Sequence, residues 1–189
     1  MSYIHYEKDK SSLIHAYYLA LIPLFLFGFY KNGILLYQNE LISFIDMFIP
    51  LYFYGISILI GFLIAMIRKD SKKEYILYGL ILACTISMNT NMIFYPILLF
   101  VSLFIASYLK EKVSFNGLAF THLLLLIALF MGAYSYLNVA EKIDAFNYNL
   151  FDIFLGFGSG GIASTSFLCL LVGFLILCLQ KFYKKMIPM

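Results

Sequence analysis

Apolar runs of bilayer-crossing length follow one another along this chain, separated by short charged or glycine-rich breaks. A helix needs about 20 apolar residues to cross a hydrocarbon core of about 30 Å. Composition agrees with that reading: 63% of the 189 residues are hydrophobic and 12% are charged, whereas soluble domains are nearer half apolar and a quarter charged. The fold class expected is all-α, a polytopic membrane protein formed as one membrane domain over residues 1–189. The first twelve residues are polar and no small-residue cleavage site follows a short apolar core, so no cleavable signal peptide is expected. Cys84, Cys169 and Cys178 lie in apolar runs without CxxC spacing, which favours buried packing over metal or disulfide use. No phosphate-binding loop, zinc-ligand spacing or catalytic triad pattern is present.

Six spans are read in order. Met1–Ser12 reads as a polar tail, and Leu13–Tyr30 as the first span, with Pro23 inside it. Proline is tolerated in lipid when neighbours satisfy the freed carbonyl. Lys31–Asp46 reads as a mixed connector, and Met47–Ile67 as the second span, stopped by the charged run Arg68–Glu74. Tyr75–Met88 is apolar but short, a half-helix-like third span. Asn89-Thr90-Asn91 then interrupts the run without any charge, before Met92–Leu109 forms the fourth span. One helix over 75–109 would be ~50 Å long, too long for a ~30 Å core, so a hairpin is expected at the asparagines. Gly117–Leu137 is the fifth span, Asn138–Thr165 the longest connector and Ser166–Gln180 the sixth span.

Charge tests the count. With the N-terminus inside, the inner segments hold Lys8, Lys10, Arg68, Lys69, Lys72, Lys73, Lys110, Lys112, Lys181, Lys184 and Lys185. Lys31 and Lys142 are then the only basic residues outside, 2 of the 13. Inner loops of membrane proteins carry the excess of Lys and Arg, so both termini are expected in the cytoplasm, with the chain in the plasma membrane. The sixteen tyrosines supply interfacial rings in a chain without tryptophan.

The stretch richest in chemistry is Leu155–Ser166, where Gly156, Gly158, Gly160 and Gly161 precede Ser164, Thr165 and the last apolar run. Glycine lets a backbone approach a partner or ligand closely. Ser164 and Thr165 stand where a helix N-cap is expected, and free N–H groups at a helix start favour anions such as phosphate. The plain alternative is a flexible turn that starts a membrane helix. Elsewhere, His122 is an ionisable group within a span, which suggests proton relay or cofactor contact. It lies near a predicted helix end, so snorkelling is an equal reading, and His15 has the same one. Asp144 and Asp152 read as solvated loop carboxylates or outer-face cation ligands. Asn89–Asn91 reads as a turn, or as carbonyls offered to an ion beside a half-helix. Ile153-Phe154-Leu155 is expected to lie against the membrane surface or a partner.

Several of these stretches together resemble one membrane family. Phe151-Asp152-Ile153-Phe154-Leu155-Gly156, Gly160-Gly161-Ile162, Thr165-Ser166, Leu170-Leu171-Val172-Gly173 and Ile187-Pro188 follow in order. They are similar to a segment of the D subunit of the Rnf electron-transport complex and of its relative, the B subunit of the sodium-translocating NADH:quinone reductase. That segment reads roughly D-x-F-x-G, G-S-I-G-E-T-S, an apolar helix with a glycine, and I-P. Gly79-Leu80-Ile81-Leu82-Ala83 resembles the family's short G-L-L-L-A half-helix, and Phe115-Asn116-Gly117-Leu118-Ala119 its F-N-P-A-M motif.

The resemblance implies a membrane subunit of a flavin-based electron-transport complex, coupled in the family to ion translocation. Family members have about ten helices in two related halves, so the six spans here correspond to the N-terminal part. A split or decayed gene product is a further reading. The family proline after Phe-Asn is Gly117 here, and the family glutamate of G-E-T-S is Ser164. The family's S-G-A-T-type motif, whose threonine carries flavin mononucleotide, has no counterpart between Lys142 and Asn149. No covalent flavin is therefore expected, on Thr165 or elsewhere. Flavin mononucleotide or riboflavin is expected to be held non-covalently, at Gly158, Ser159, Gly160, Gly161, Ser164 and Thr165, with Phe115 and Asn116 as further contacts. The expected partners are the membrane and other subunits of an electron-transport complex or a second copy, and no nucleic acid. Thr121 and Asn116 are expected to lack partners within the chain. The alternative from another class is the substrate-binding component of an energy-coupling-factor vitamin transporter, also small and six-helical.

Overall fold

In the computed structural model, residues 2–110, 117–131, 150–158 and 160–179 are described, and among them there is helix and loop but no strand. Helix α1 (Ser2–Phe29) passes without interruption through a π-helical turn (Tyr30–Ile34) into α2 (Leu35–Gln38). The tail is thus already helical from Ser2, and the first span does not stop at Tyr30. Its apolar, helix-compatible part runs from Ser12 to Gln38. Ile34, Leu35 and Leu36 keep the pattern apolar beyond Lys31 and Asn32, and those two side chains find polar partners inside the protein. The helix therefore has no need to end where its first charge occurs.

A short 3₁₀ turn (Asp46–Phe48) leads into α3 (Ile49–Arg68), with Pro50 in its first turn, where no N–H is missed. Lys69 ends α3 in a left-handed conformation (φ 52°), donating its N–H to Met66 O at 3.3 Å. Helix α4 (Lys72–Thr85) has 14 residues, a length of about 21 Å that falls short of a ~30 Å core. The turn expected at the asparagines is present: Asn91 Oδ1 accepts the N–H groups of Ile93 (2.9 Å) and Phe94 (3.3 Å) and so caps α5 (Phe94–Lys110). Helix α6 (Gly117–Met131), a short α7 (Leu150–Leu155) and α8 (Phe167–Leu179) complete the described chain. The connector reading of Ile153–Leu155 thus becomes one turn of helix, with Leu150 and Phe151 exposed and the Phe154 ring 5.3 Å from that of Phe167.

Helix α3 packs most broadly on α4, α1 on α8, and α5 on α6 and α3. Small residues set these distances. A Cβ on Gly79 would stand 2.6 Å from Ser57 O, and one on Gly173 would stand 2.7 Å from Ala20 O. Such near-contact of backbones is how helices associate where lipid offers no hydrophobic drive. Phe53, Ile64, Leu82, Leu99 and Leu125 fill the interior, and Leu26, Leu59, Ile97 and Phe174 face outward. An apolar exterior over an apolar interior is the arrangement of a protein that lives in lipid.

Candidate functional site: the junction of a half-spanning helix and a glycine loop

Helix α4, at 14 residues, is shorter than a ~30 Å hydrocarbon core, and its last carbonyls need donors that lipid cannot give. The glycine loop supplies them. Ile86 O accepts Ile162 N–H at 2.7 Å, and Cys84 O accepts the N–H groups of Ala163 (3.0 Å) and Ser164 (3.2 Å). Two glycines make this fit. At Gly161 a Cβ would stand 2.6 Å from Thr85 O. At Gly156 the backbone is left-handed (φ 105°), and a Cβ would stand 2.6 Å from Ser166 Cα.

From the other side the loop is held by α1 and its π turn. Asn32 Nδ2 donates to Ile162 O at 2.7 Å and to Gly28 O at 3.2 Å. Lys31 is fully buried (0% exposed), and its ammonium donates to Gly158 O and, at 2.9 Å, to Thr165 Oγ1. A π turn inserts one residue into the helical ladder and re-aims its side chains, and such turns occur frequently at functional sites. Tyr54, on α3, is 7% exposed, and its hydroxyl has no hydrogen-bond partner among the described residues. That hydroxyl sits where α1 meets the loop, within 2.6 Å of the position a Cβ on Gly28 would take, beside Ile162 O.

The predicted site residues divide accordingly. Gly158, Gly160, Gly161, Ser164 and Thr165 all belong to this junction, whereas Ser159, Phe115 and Asn116 lie outside the described residues, as does Asp144. The N–H groups of Ile162, Ala163 and Ser164 are not open to an anion, because α4 has taken them. Thr165 Oγ1 and Gly158 O face Lys31 instead. The helix cap is one or two residues later than expected: Ser166 Oγ accepts Cys169 N–H at 3.2 Å at the start of α8. His122 stands on α6 with Nδ1 3.4 Å from Thr85 Oγ1, beside the end of α4. His15 Nε2 is 3.3 Å from Lys73 Nζ. Thr121, expected to lack a partner, is fully buried and makes an interaction within the chain. Cys84 is buried against Ala163, with Cys169 packed nearby, and both are free thiols. Among the described residues no group of three or more His, Cys, Asp or Glu could hold a metal ion.

Sequence reasoning missed Lys31, Asn32 and Tyr54. Lys31, expected in the outer connector, is instead buried within the first helix. The signal was the apolar run Ile34-Leu35-Leu36 directly after Lys31-Asn32-Gly33, which continues a helix rather than a connector.

A family model described as the NQR2, RnfD, RnfE family matches residues 1–189. Comparison with curated proteins and with solved structures gave no match.

Proposed function

The chain belongs to the NQR2, RnfD, RnfE family and is on that footing a membrane subunit of an Rnf/Nqr-type complex; we propose that its α4–loop junction holds a flavin non-covalently on the electron path of that complex. The observation that carries this reading is the buried Lys31 ammonium, whose two acceptors are both neutral. A charge buried in lipid-embedded protein is costly unless it is compensated, and in membrane proteins such groups are functional by default. The donors of the junction suit an anionic group at Lys31 and Thr165, and do not suit one at the Ile162–Ser164 backbone. When bound, the flavin would supply one- and two-electron transfer. The protein's own part is to position it, with Lys31 and Thr165 as polar contacts, and to keep water away through the packed ends of α1, α4 and α8. Phe115, Asn116 and Ser159 are further proposed contacts.

In this reading the protein lies in the plasma membrane with both termini cytoplasmic and docks other redox subunits or a second copy of itself. Ion translocation belongs to the complex as a whole. No observation favours the vitamin-transporter alternative. The absorbance spectrum of the purified protein, and of the complex it copurifies with, tests the proposal. A flavin spectrum whose chromophore is released by denaturation is the expected result. A complex whose other subunits carry flavin while this chain, once separated under native conditions, carries none overturns it.

A further inference from the structure

At the other end of α4, its first turn meets the last turns of α3. Leu59, Phe62, Leu63 and Met66 recur at the three- and four-residue spacing of one helix face, and all four are exposed. One turn before Leu59, Gly55 continues that face without a side chain, and a Cβ there would meet no atom within 4 Å. From Gly55 to Met66 the apolar strip is about 16 Å long, the depth of one leaflet of a ~30 Å core. It ends at a basic cluster, Arg68, Lys69, Lys72 and Lys73. Lys72 reaches back along the strip: its ammonium lies over the Phe62 ring, 4.9 Å from the centroid, within cation–π range. Phe62 is about 9 Å along the helix from Arg68, so a positive charge is drawn onto a lipid-facing side chain. Lys69, in the left-handed turn that ends α3, is exposed at the same border.

The acidic residues of this segment are engaged elsewhere. Asp70 accepts the Ser71 N–H at 2.7 Å and the Tyr75 hydroxyl at 3.3 Å, and the buried Glu74 accepts the Tyr78 hydroxyl at 2.7 Å. Lys73 meets His15 of α1, with Nζ 3.3 Å from Nε2. Among the described residues no carboxylate pairs with Lys69 or Lys72. An ammonium held against a lipid-facing ring needs an anion at the depth of the headgroups, and lipid itself supplies one. We infer that the α3–α4 turn binds an anionic phospholipid, with Lys69 and Lys72 on the headgroup phosphate and an acyl chain along Gly55, Leu59, Phe62 and Met66. A choline headgroup carries the same phosphate beside a cation, which the basic cluster repels. The site therefore selects phosphatidylglycerol over phosphatidylcholine. It depends neither on the flavin nor on which end of α3 is cytoplasmic.

The full chain in maltoside detergent is titrated with equal amounts of phosphatidylglycerol and phosphatidylcholine of matched acyl chains, and the bound lipids are counted by native mass spectrometry. Phosphatidylglycerol is expected to bind about twentyfold more tightly, from about fivefold per lysine. Lys69→Gln/Lys72→Gln changes two exposed side chains, so it should melt as the parent chain does and bind the two lipids nearly equally. Lys8→Gln/Lys10→Gln removes the same charge from the tail and should keep the preference. An equal loss of preference in the Lys8/Lys10 variant would show a diffuse attraction and overturn the site. An unchanged preference in the Lys69/Lys72 variant would overturn it as well. If that variant loses a copurifying membrane subunit while its lipid preference stays the same, protein rather than lipid covers the strip, and the inference fails.

Discussion

Lys31 places a unit charge within a membrane span and satisfies it with a carbonyl and a hydroxyl. The two ways of disturbing that pair are not equivalent. Removing Thr165 Oγ1 leaves the cation with one acceptor, and an unsatisfied buried group costs its full desolvation, about 1–3 kcal/mol. Removing the charge together with the hydroxyl leaves no buried charge, only the neutral Gly158 carbonyl without its donor. Thr165→Val is therefore expected to lower stability by about 1–3 kcal/mol, and Lys31→Met/Thr165→Val to be less destabilised than Thr165→Val alone. Unfolding of the four species of this cycle in detergent measures it, and a double variant equal to the sum of the singles would show the pair uncoupled. At this scale the sequence was only partly legible. Gly161 and Thr165 could be found, because glycines and hydroxyls before an apolar run mark a helix entry. Tyr54 could not, because nothing local distinguishes a tyrosine whose hydroxyl meets a distant loop from the chain's other fifteen.

Helix α4 and the start of α8 depend on each other, since each leaves at its end the groups the other side lacks. Carbonyls end α4, and the loop before α8 brings N–H groups to them. Gly161 sits in that contact, so Gly161→Ala should destabilise by about 1–3 kcal/mol, the usual cost of forcing a methyl into packed backbone. Gly158→Ala, three residues away with open space, should change stability by less than about 0.5 kcal/mol. Equal melting temperatures for the two variants would remove the junction as a stabilising element. The cap of α8 gives a second comparison. Ser166→Ala should cost about 1 kcal/mol, and Ser164→Ala less, because only Ser166 Oγ holds an N–H of α8. A larger loss at Ser164 would return the cap to where the sequence suggested it. The elements themselves were legible because hydrophobic runs, the charged Arg68–Glu74 break and the asparagine turn are local signals. The end of the first span was not. A buried lysine and a solvated one look alike until the partner, more than a hundred residues away, is in place.

For the whole molecule, the inward turn of Lys31 sharpens the charge asymmetry, since it leaves Lys142 as the only basic residue assigned to the outer connectors. The topology proposed above from the positive-inside rule has the Arg68–Glu74 and Lys110–Lys112 segments in the cytoplasm and the long connector before α8 outside. The short α4 adds a depth to that topology. On that proposed topology a helix of about 21 Å rising from the inner face would leave the Ser87–Asn91 turn below the outer surface of a ~30 Å core. Ser87 and Thr90 are buried there, with Thr90 Oγ1 bonded to Ser87 O at 2.7 Å, while Asn89 and Asn91 stay exposed on the protein surface. Single cysteines in a background lacking Cys84, Cys169 and Cys178 read both features with a membrane-impermeant maleimide added outside intact cells. Glu141→Cys should label quickly, Asn89→Cys several-fold more slowly, and Lys72→Cys and Lys112→Cys only after permeabilisation. Labelling of Lys112→Cys from outside would invert the topology. Equal rates at Asn89→Cys and Glu141→Cys would mean that α4 reaches the outer surface, and the junction with the glycine loop would then lie in water, where Lys31 needs no counter-charge.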